Sequence, residues 1–176
     1  MSLSNTHTAA LLSDANEGYN TEINDLLLSA LSLALPSVLD GSQHTITLEG
    51  HGREAIAEHL DISHTVGWFT TIYPVLLQAQ NSISESIIHT KEMLREIPNK
   101  GLGFGAFMQA GELKGEYPKV SFNYLGQLDK GQLDQGQSNT SQEETKANQH
   151  WQIVGEDCGE SVPAENDSKM LLEING

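Results

Sequence analysis

Thr45-Ile46-Thr47-Leu48-Glu49 alternates polar with apolar side chains, then runs straight into Gly50-His51-Gly52-Arg53-Glu54. The period-two alternation predicts a β-strand that ends at Glu49. Gly50 and Gly52 leave room for a substrate to approach the backbone just beyond that carboxyl. A carboxyl partly shielded from water is a better base near neutrality. Taken alone, Glu49 reads as a salt-bridged surface carboxylate. Arg53 to Leu60 reads as a short helix, with Arg53 and Glu54 at its start holding the preceding loop by ion pairing.

Working outward, the spacing predicts helices over 8–19 and 22–35 on the N-terminal side. The second carries Ile23, Leu26, Leu27, Leu28, Leu31, Leu33 and Leu35 on nearly every face, the pattern of a buried helix. Pro36 ends it. On the C-terminal side, Val66 to Leu77 mixes aromatic and β-branched residues around Pro74. It reads as a loop plus a strand interrupted near the proline. Ser82 to Ile97 is amphipathic, with Ile83, Ile87, Ile88 and Leu94 on one side, and Pro98 closes it. Gly101-Leu102-Gly103-Phe104-Gly105 is a tight glycine-rich turn. It lacks the Lys-Ser/Thr ending and the preceding strand of a phosphate-cradling loop. Val120 to Leu125 alternates and predicts another strand. Met170 to Ile174 predicts a last one, which reads as the first arm of a hairpin whose return strand is absent from this chain.

Residues 127–150 differ in kind. They are rich in Gln, Ser, Asn, Asp and Glu and too poor in apolar residues to offset their ordering entropy, so a long mobile loop is expected there. The scattered strands do not make a regular βαβ series. They predict an α/β protein built as a two-layer sheet–helix sandwich.

Composition narrows the function. The chain's 176 residues and 38% hydrophobic content suit one globular domain. Cys158 is the only cysteine, which rules out a disulfide framework and favours a reducing, cytoplasmic setting. The net charge of −15, from 24 acidic and 9 basic residues, leaves no basic footprint for nucleic acid and opposes anionic membranes. No apolar run approaches the roughly 20 residues needed to cross a bilayer. The N-terminus lacks the pattern of a secretory signal. His44, His51, His59 and His64 cluster in sequence but make no His-Glu-x-x-His or close pair, so no metal site is expected.

Five segments occur in a distinctive order: Asp25–Ala30, Glu49–Glu54, Thr65–Thr70 with Tyr73-Pro74, Pro98–Gly105 and Phe122–Gln127. In this order and spacing the chain resembles the later signature motifs of epimerization domains of nonribosomal peptide synthetases, members of the condensation-domain superfamily. Leu172–Gly176 also fits. The family's paired-histidine motif, His-His-x-x-x-Asp, does not occur: the seven histidines are all isolated. The resemblance therefore implies residues 1–176 are the C-terminal lobe of a two-lobed, chloramphenicol-acetyltransferase-like fold, inactive without its N-terminal lobe.

The implied reaction is L-to-D inversion at Cα of an aminoacyl or peptidyl thioester. The substrate arrives on the phosphopantetheine arm of an upstream peptidyl carrier protein, and this chain binds no cofactor of its own. In the family the glutamate that opens the Glu49 motif is a catalytic acid/base. Tyr124 and Asn123 are candidates to hydrogen-bond the thioester oxygen or the pantetheine amide. Strand alternation puts them on opposite faces, so one of the two reaches the site directly, and Tyr124 is equally a core aromatic. His51 is a candidate substrate-side residue, although a satisfied structural histidine fits it better. His64 stands where the family usually has arginine, and it lacks arginine's fixed charge and fork. Trp68, Phe69 and Tyr73 read as tunnel-wall or core residues. Two alternatives share this resemblance: condensation chemistry, which forms a peptide bond between carrier-bound substrates, and a non-catalytic module that only docks a carrier protein.

Overall fold

The computed structural model describes residues 3–55, 61–62, 64–126, 159, 163, 165–166 and 169–176. They fall in two compact units, one comprising Met1–Tyr124 with Met170–Asn175, the other Leu125–Lys169 with Gly176. Among the described residues all regular elements lie in the first unit. The expected loop at 127–150 and helix residues 56–60 lie outside the described residues.

The sheet is assembled from four strands. β1 (Gln43–Gly50) and β2 (Thr71–Gln78) form an antiparallel pair with Leu48 opposite Tyr73 and Ile46 opposite Val75. β3 (Val120–Asn123) joins β1 in parallel, and β4 (Leu172–Asn175) joins β3 in parallel, giving the order β2-β1-β3-β4. Among the described residues the last strand's partner is β3, with Phe122 opposite Ile174.

β2 runs unbroken through Pro74, which sits opposite Thr47. The expected interruption does not occur because β2 is an edge strand. Among the described residues one row of its N–H groups has no neighbouring strand to serve, so proline's missing donor breaks no ladder bond.

Helices cover one face. α1 (Asn5–Leu12) and α2 (Asp14–Glu17) replace the single helix expected over 8–19. They break at Ser13, whose backbone (φ −123°, ψ −84°) leaves the helical region while its N–H and its hydroxyl both donate to Ala9 O. α3 (Ile23–Ala34) and α4 (Ile83–Glu96) pack on each other and on the sheet. Ser82 caps α4, accepting from Glu85 N–H at 3.2 Å.

The helix–helix contact departs from the apolar pattern. Ser29, Ser32, Ser86 and Thr90 are buried there, whereas Ile83 and Ile88 are exposed and Leu33 stands partly in solvent. Small side chains let the two backbones approach closely. Their hydroxyls are largely satisfied locally: Ser29 donates to Asp25 O, Ser32 to Ser29 O, and Ser86 accepts from Gln80 N–H at 3.1 Å. Asp25, buried beside them, accepts from Glu22 N–H at 2.9 Å and lies 3.8 Å from Arg95.

The core lies between this pair and the sheet. It gathers Leu28, Leu35, Ile46, Leu48, Tyr73, Val75, Leu77, Val120 and Phe122. A 3₁₀ turn (Pro98–Gly101) and α5 (Phe104–Gln109) follow α4. Asn99, Lys100 and Gly101 all take left-handed backbone angles. A Cβ on Gly101 would sit 2.1 Å from the Tyr73 ring, so only glycine lets this turn lie flat on that side chain. No helix among the described residues is long and apolar enough to cross a membrane.

Candidate functional site

Alternation along β1 sends Ile46 and Leu48 into the core, and so turns Thr47 and Glu49 to the face opposite α3 and α4, which α5 and the 113–118 segment cover only in part. Glu49 is half-buried at the carboxyl end of its strand. Among the described residues no hydrogen bond or ion pair engages its carboxylate, which differs from the salt-bridged carboxylate its sequence alone suggests. Thr47, two residues earlier, is buried and donates to Pro118 O at 2.9 Å, so the 113–118 segment covers that part of the face. This segment closes a cavity of about 200 Å³ with Pro74, Phe104 and Met108; Glu49 does not line it.

The parallel register places Thr47 beside Ser121 and Leu48 beside Phe122. Carried one residue on, it sets Glu49 beside Asn123, on the same face. β1, β3 and β4 all run in one direction, so their carboxyl ends meet at one rim. In open sheets with parallel strands ligands characteristically bind at that rim. Phe122 and Tyr124 point the other way: Phe122 is a core residue and Tyr124 packs against the core. Of the two residues left open by sequence, Asn123 shares Glu49's face.

The loop beyond β1 is held by its own motif. Residues 53–55 are not helical, so the helix expected from Arg53 does not begin there. Nor does Arg53 act by ion pairing among the described residues. Its guanidinium donates to Ile62 O at 2.6 Å, Thr65 O at 2.9 Å and Gly67 O at 3.4 Å, and lies 4.2 Å from the Phe69 ring centroid. A rigid five-donor fork suits several converging carbonyls and an aromatic face at once. Gly52 takes a left-handed backbone, and a Cβ there would strike the Phe69 carbonyl at 1.6 Å. Strand end and loop are therefore pressed together.

Glu54 does ion-pair. Its ion-pair partner is Lys100 Nζ at 3.6 Å, and it accepts a hydrogen bond from His51 Nε2 at 3.1 Å. Arg53 N–H donates to His51 Nδ1 at 3.0 Å, which leaves Nε2 as the donor toward Glu54 and fixes the tautomer. Near this carboxylate, Tyr73's hydroxyl is pushed above its ordinary value, by burial first and by the Glu54 charge second.

The remaining candidates are not gathered around Glu49. His64 is exposed in the turn closed by Thr65 N–H to Ile62 O. Trp68 is 92% exposed and Val66 99%, so Trp68 is no core residue. The Arg53 fork fixes the loop backbone and leaves the Trp68 side chain to solvent. Phe69 is held under Arg53, and Tyr73 is in the core. His44 is buried with Nε2 3.1 Å from Gly41 O, apart from His51, which Glu54 engages. His59 lies outside the described residues. Sequence reasoning passed over Asn175, which the β3–β4 register sets beside Asn123 on the uncovered face. Alternation within Leu172–Asn175 could have flagged its face, but not its neighbour.

The condensation-domain family model matches residues 1–157. Surfactin synthase subunit 2 of Bacillus subtilis (strain 168) is 49% identical over 173 residues, covering 96% of this chain and 4% of that protein. Gramicidin S synthase 1 of Brevibacillus brevis is 40% identical over 188 residues, covering all of this chain and 16% of that protein. This chain thus spans a small part of the curated relatives it matches. Among solved structures, the epimerization domain from the third module of tyrocidine synthetase B is similar at a TM-score of 0.63 and 38% identity, over 70% of this chain and 30% of that one. The condensation domain of the Monacolin K polyketide synthase shares the fold at 0.56 and 14% identity, with the same coverage.

Proposed function

The chain belongs to the condensation-domain family, and from that premise we propose that it is the part of an epimerization domain carrying Glu49, which moves a proton at Cα of an aminoacyl or peptidyl thioester. Inversion breaks the Cα–H bond, leaves its electron pair as a thioester enolate, and returns a proton to the opposite face. No electron is gained or lost overall, and no cofactor bound by this chain is required. Two proton carriers must flank the planar enolate. Glu49 is one. The paired histidine of the N-terminal lobe, absent from this chain, is the other, and an upstream peptidyl carrier protein delivers the substrate on its phosphopantetheine arm.

The observation that carries this reading is the half-buried Glu49 carboxylate at the rim of three parallel strands, with no partner among the described residues. Structural carboxylates in such places are ordinarily paired; Asp25 and Glu54 both are. Asn123 adds an amide donor on the same face for the oxygen on which charge develops. Tyr124 supports β3 from the core side. His51 positions the strand-end loop through Glu54, and we assign His64 and Trp68 no step in proton transfer.

The test uses the intact domain, this chain together with its N-terminal lobe, and a carrier-bound aminoacyl thioester in D2O. Deuterium is expected to enter Cα with inversion, and Glu49→Gln to slow exchange by about 10²–10⁴-fold. This chain alone is expected to give no turnover. Amide product with unchanged stereochemistry would replace the reading with condensation. Carrier binding by an intact domain that never exchanges Cα would replace it with docking.

A further inference from the structure

We propose that Asn175 is a substrate-contacting residue of the same site, pairing with a secondary amide of the arm that carries the thioester; this rests on the epimerase reading above. The observation is one of register. Asn123 and Asn175 are direct partners in the parallel β3–β4 ladder, so both side chains leave the same face of the sheet, one strand spacing or about 4.8 Å apart. The β1–β3 register, extended by one residue beyond Leu48 and Phe122, sets Glu49 on the other side of Asn123 in the same row. Three adjacent parallel strands therefore end in a carboxylate and two carboxamides, all on the uncovered face.

The chemistry of the row is specific. A carboxamide offers two donors and one acceptor oxygen, which complements a secondary amide's carbonyl and N–H together. Among the described residues no hydrogen bond occupies either the Asn123 or the Asn175 side chain. Asn175 is exposed, whereas Ile174 beside it packs against the core, so its backbone is anchored while its amide is left available. A phosphopantetheine thioester carries secondary amides along the chain that ends at sulfur. With Glu49 at the reacting carbon, the two asparagines extend the row away from it and offer amide partners to a chain laid along that rim.

Two small substrates separate this from a structural role. An aminoacyl N-acetylcysteamine thioester has one secondary amide near sulfur, and the corresponding propyl thioester has none. Cα deuterium uptake by the intact domain is measured on both. The wild-type domain is expected to prefer the amide-bearing thioester by about tenfold in kcat/KM, equivalent to about 1.4 kcal/mol, expressed in KM. Asn175→Ala and Asn175→Ser are each expected to remove that preference while leaving the rate on the propyl thioester within about twofold. A variant that keeps the preference, or that loses rate equally on both substrates, overturns the assignment. Glu49→Gln, run alongside, tells the two failures apart. If it abolishes exchange while the Asn175 variants change nothing, only the Asn175 assignment falls; if the wild-type domain exchanges neither substrate, both fall together.

Discussion

On the helix-covered face of the sheet, Ile46, Leu48, Tyr73, Val75, Leu77, Val120 and Phe122 are all at most 7% exposed. One residue along on the same strands, the uncovered face shows Glu49, Ile72, Leu76, Asn123 and Asn175, with Ile72 and Leu76 more than 40% exposed. Each strand thus contributes alternately to a packed core and to a surface that can touch something else. Because the side-chain period of a strand is two, a residue on the second face can change its chemistry without disturbing the first. That separation lets a carboxylate go unpaired at Glu49 without a penalty in the core.

The comparison breaks most visibly if the covered face tolerates truncation. Leu77→Ala, at a site 1% exposed, is expected to lower unfolding free energy by about 2–5 kcal/mol in urea titration. A loss below about 1 kcal/mol would mean that this face does not hold the fold. Gly101→Ala comes next. The added methyl meets the Tyr73 ring, and the backbone is left-handed, so about 2–4 kcal/mol is expected from the same titration.

A smaller effect tests the burial of Tyr73. Its hydroxyl ionises above the ordinary value of 10.0 in the folded protein, so the stability tied to that difference is fully present below about pH 10. It is lost as pH rises from there through the folded value, because the unfolded chain releases a proton that the folded one keeps. Thermal melts from pH 8 to 11 should show wild type losing ground to Tyr73→Phe only above about pH 10; parallel curves would sink this. The smallest effects belong to the uncovered face. Glu49→Gln and Asn123→Ala are expected to shift stability by no more than about 0.5 kcal/mol, although the first is expected to slow exchange in the intact domain by about 10²–10⁴-fold. A cost above 1 kcal/mol in either would make that face structural.

Much of the element order was legible. β1, α3, α4 and β3 lie close to where alternation and helical spacing put them, and the glycine-rich turn at Gly101 is a turn. The errors share one cause. Pro74 suggests an interruption because a sequence does not reveal that its strand lies at an edge. Ile83, Ile87, Ile88 and Leu94 mark an apolar side of the helix in sequence, yet Ile83 and Ile88 are exposed and the α3–α4 contact selects Ser29, Ser32, Ser86 and Thr90, whose small size matters more there than hydrophobicity. Arg53 was read as an ion-pairing residue, and its actual partners are carbonyls of a loop up to fourteen residues on. In each case the deciding neighbour is distant in sequence.

The sequence by itself determined that this is a mixed α/β chain with a strand ending at Glu49, and its ordered motifs identified the family. Those properties follow from short-range rules: side-chain periodicity, glycine and proline geometry, and local spacing. Only the tertiary structure decided that Asn123 rather than Tyr124 stands with Glu49, and that Asn175 completes the row. Residues 49, 123 and 175 become neighbours through parallel strand pairing, and the register of such pairing is set by the packing of the opposite face, which no local pattern encodes.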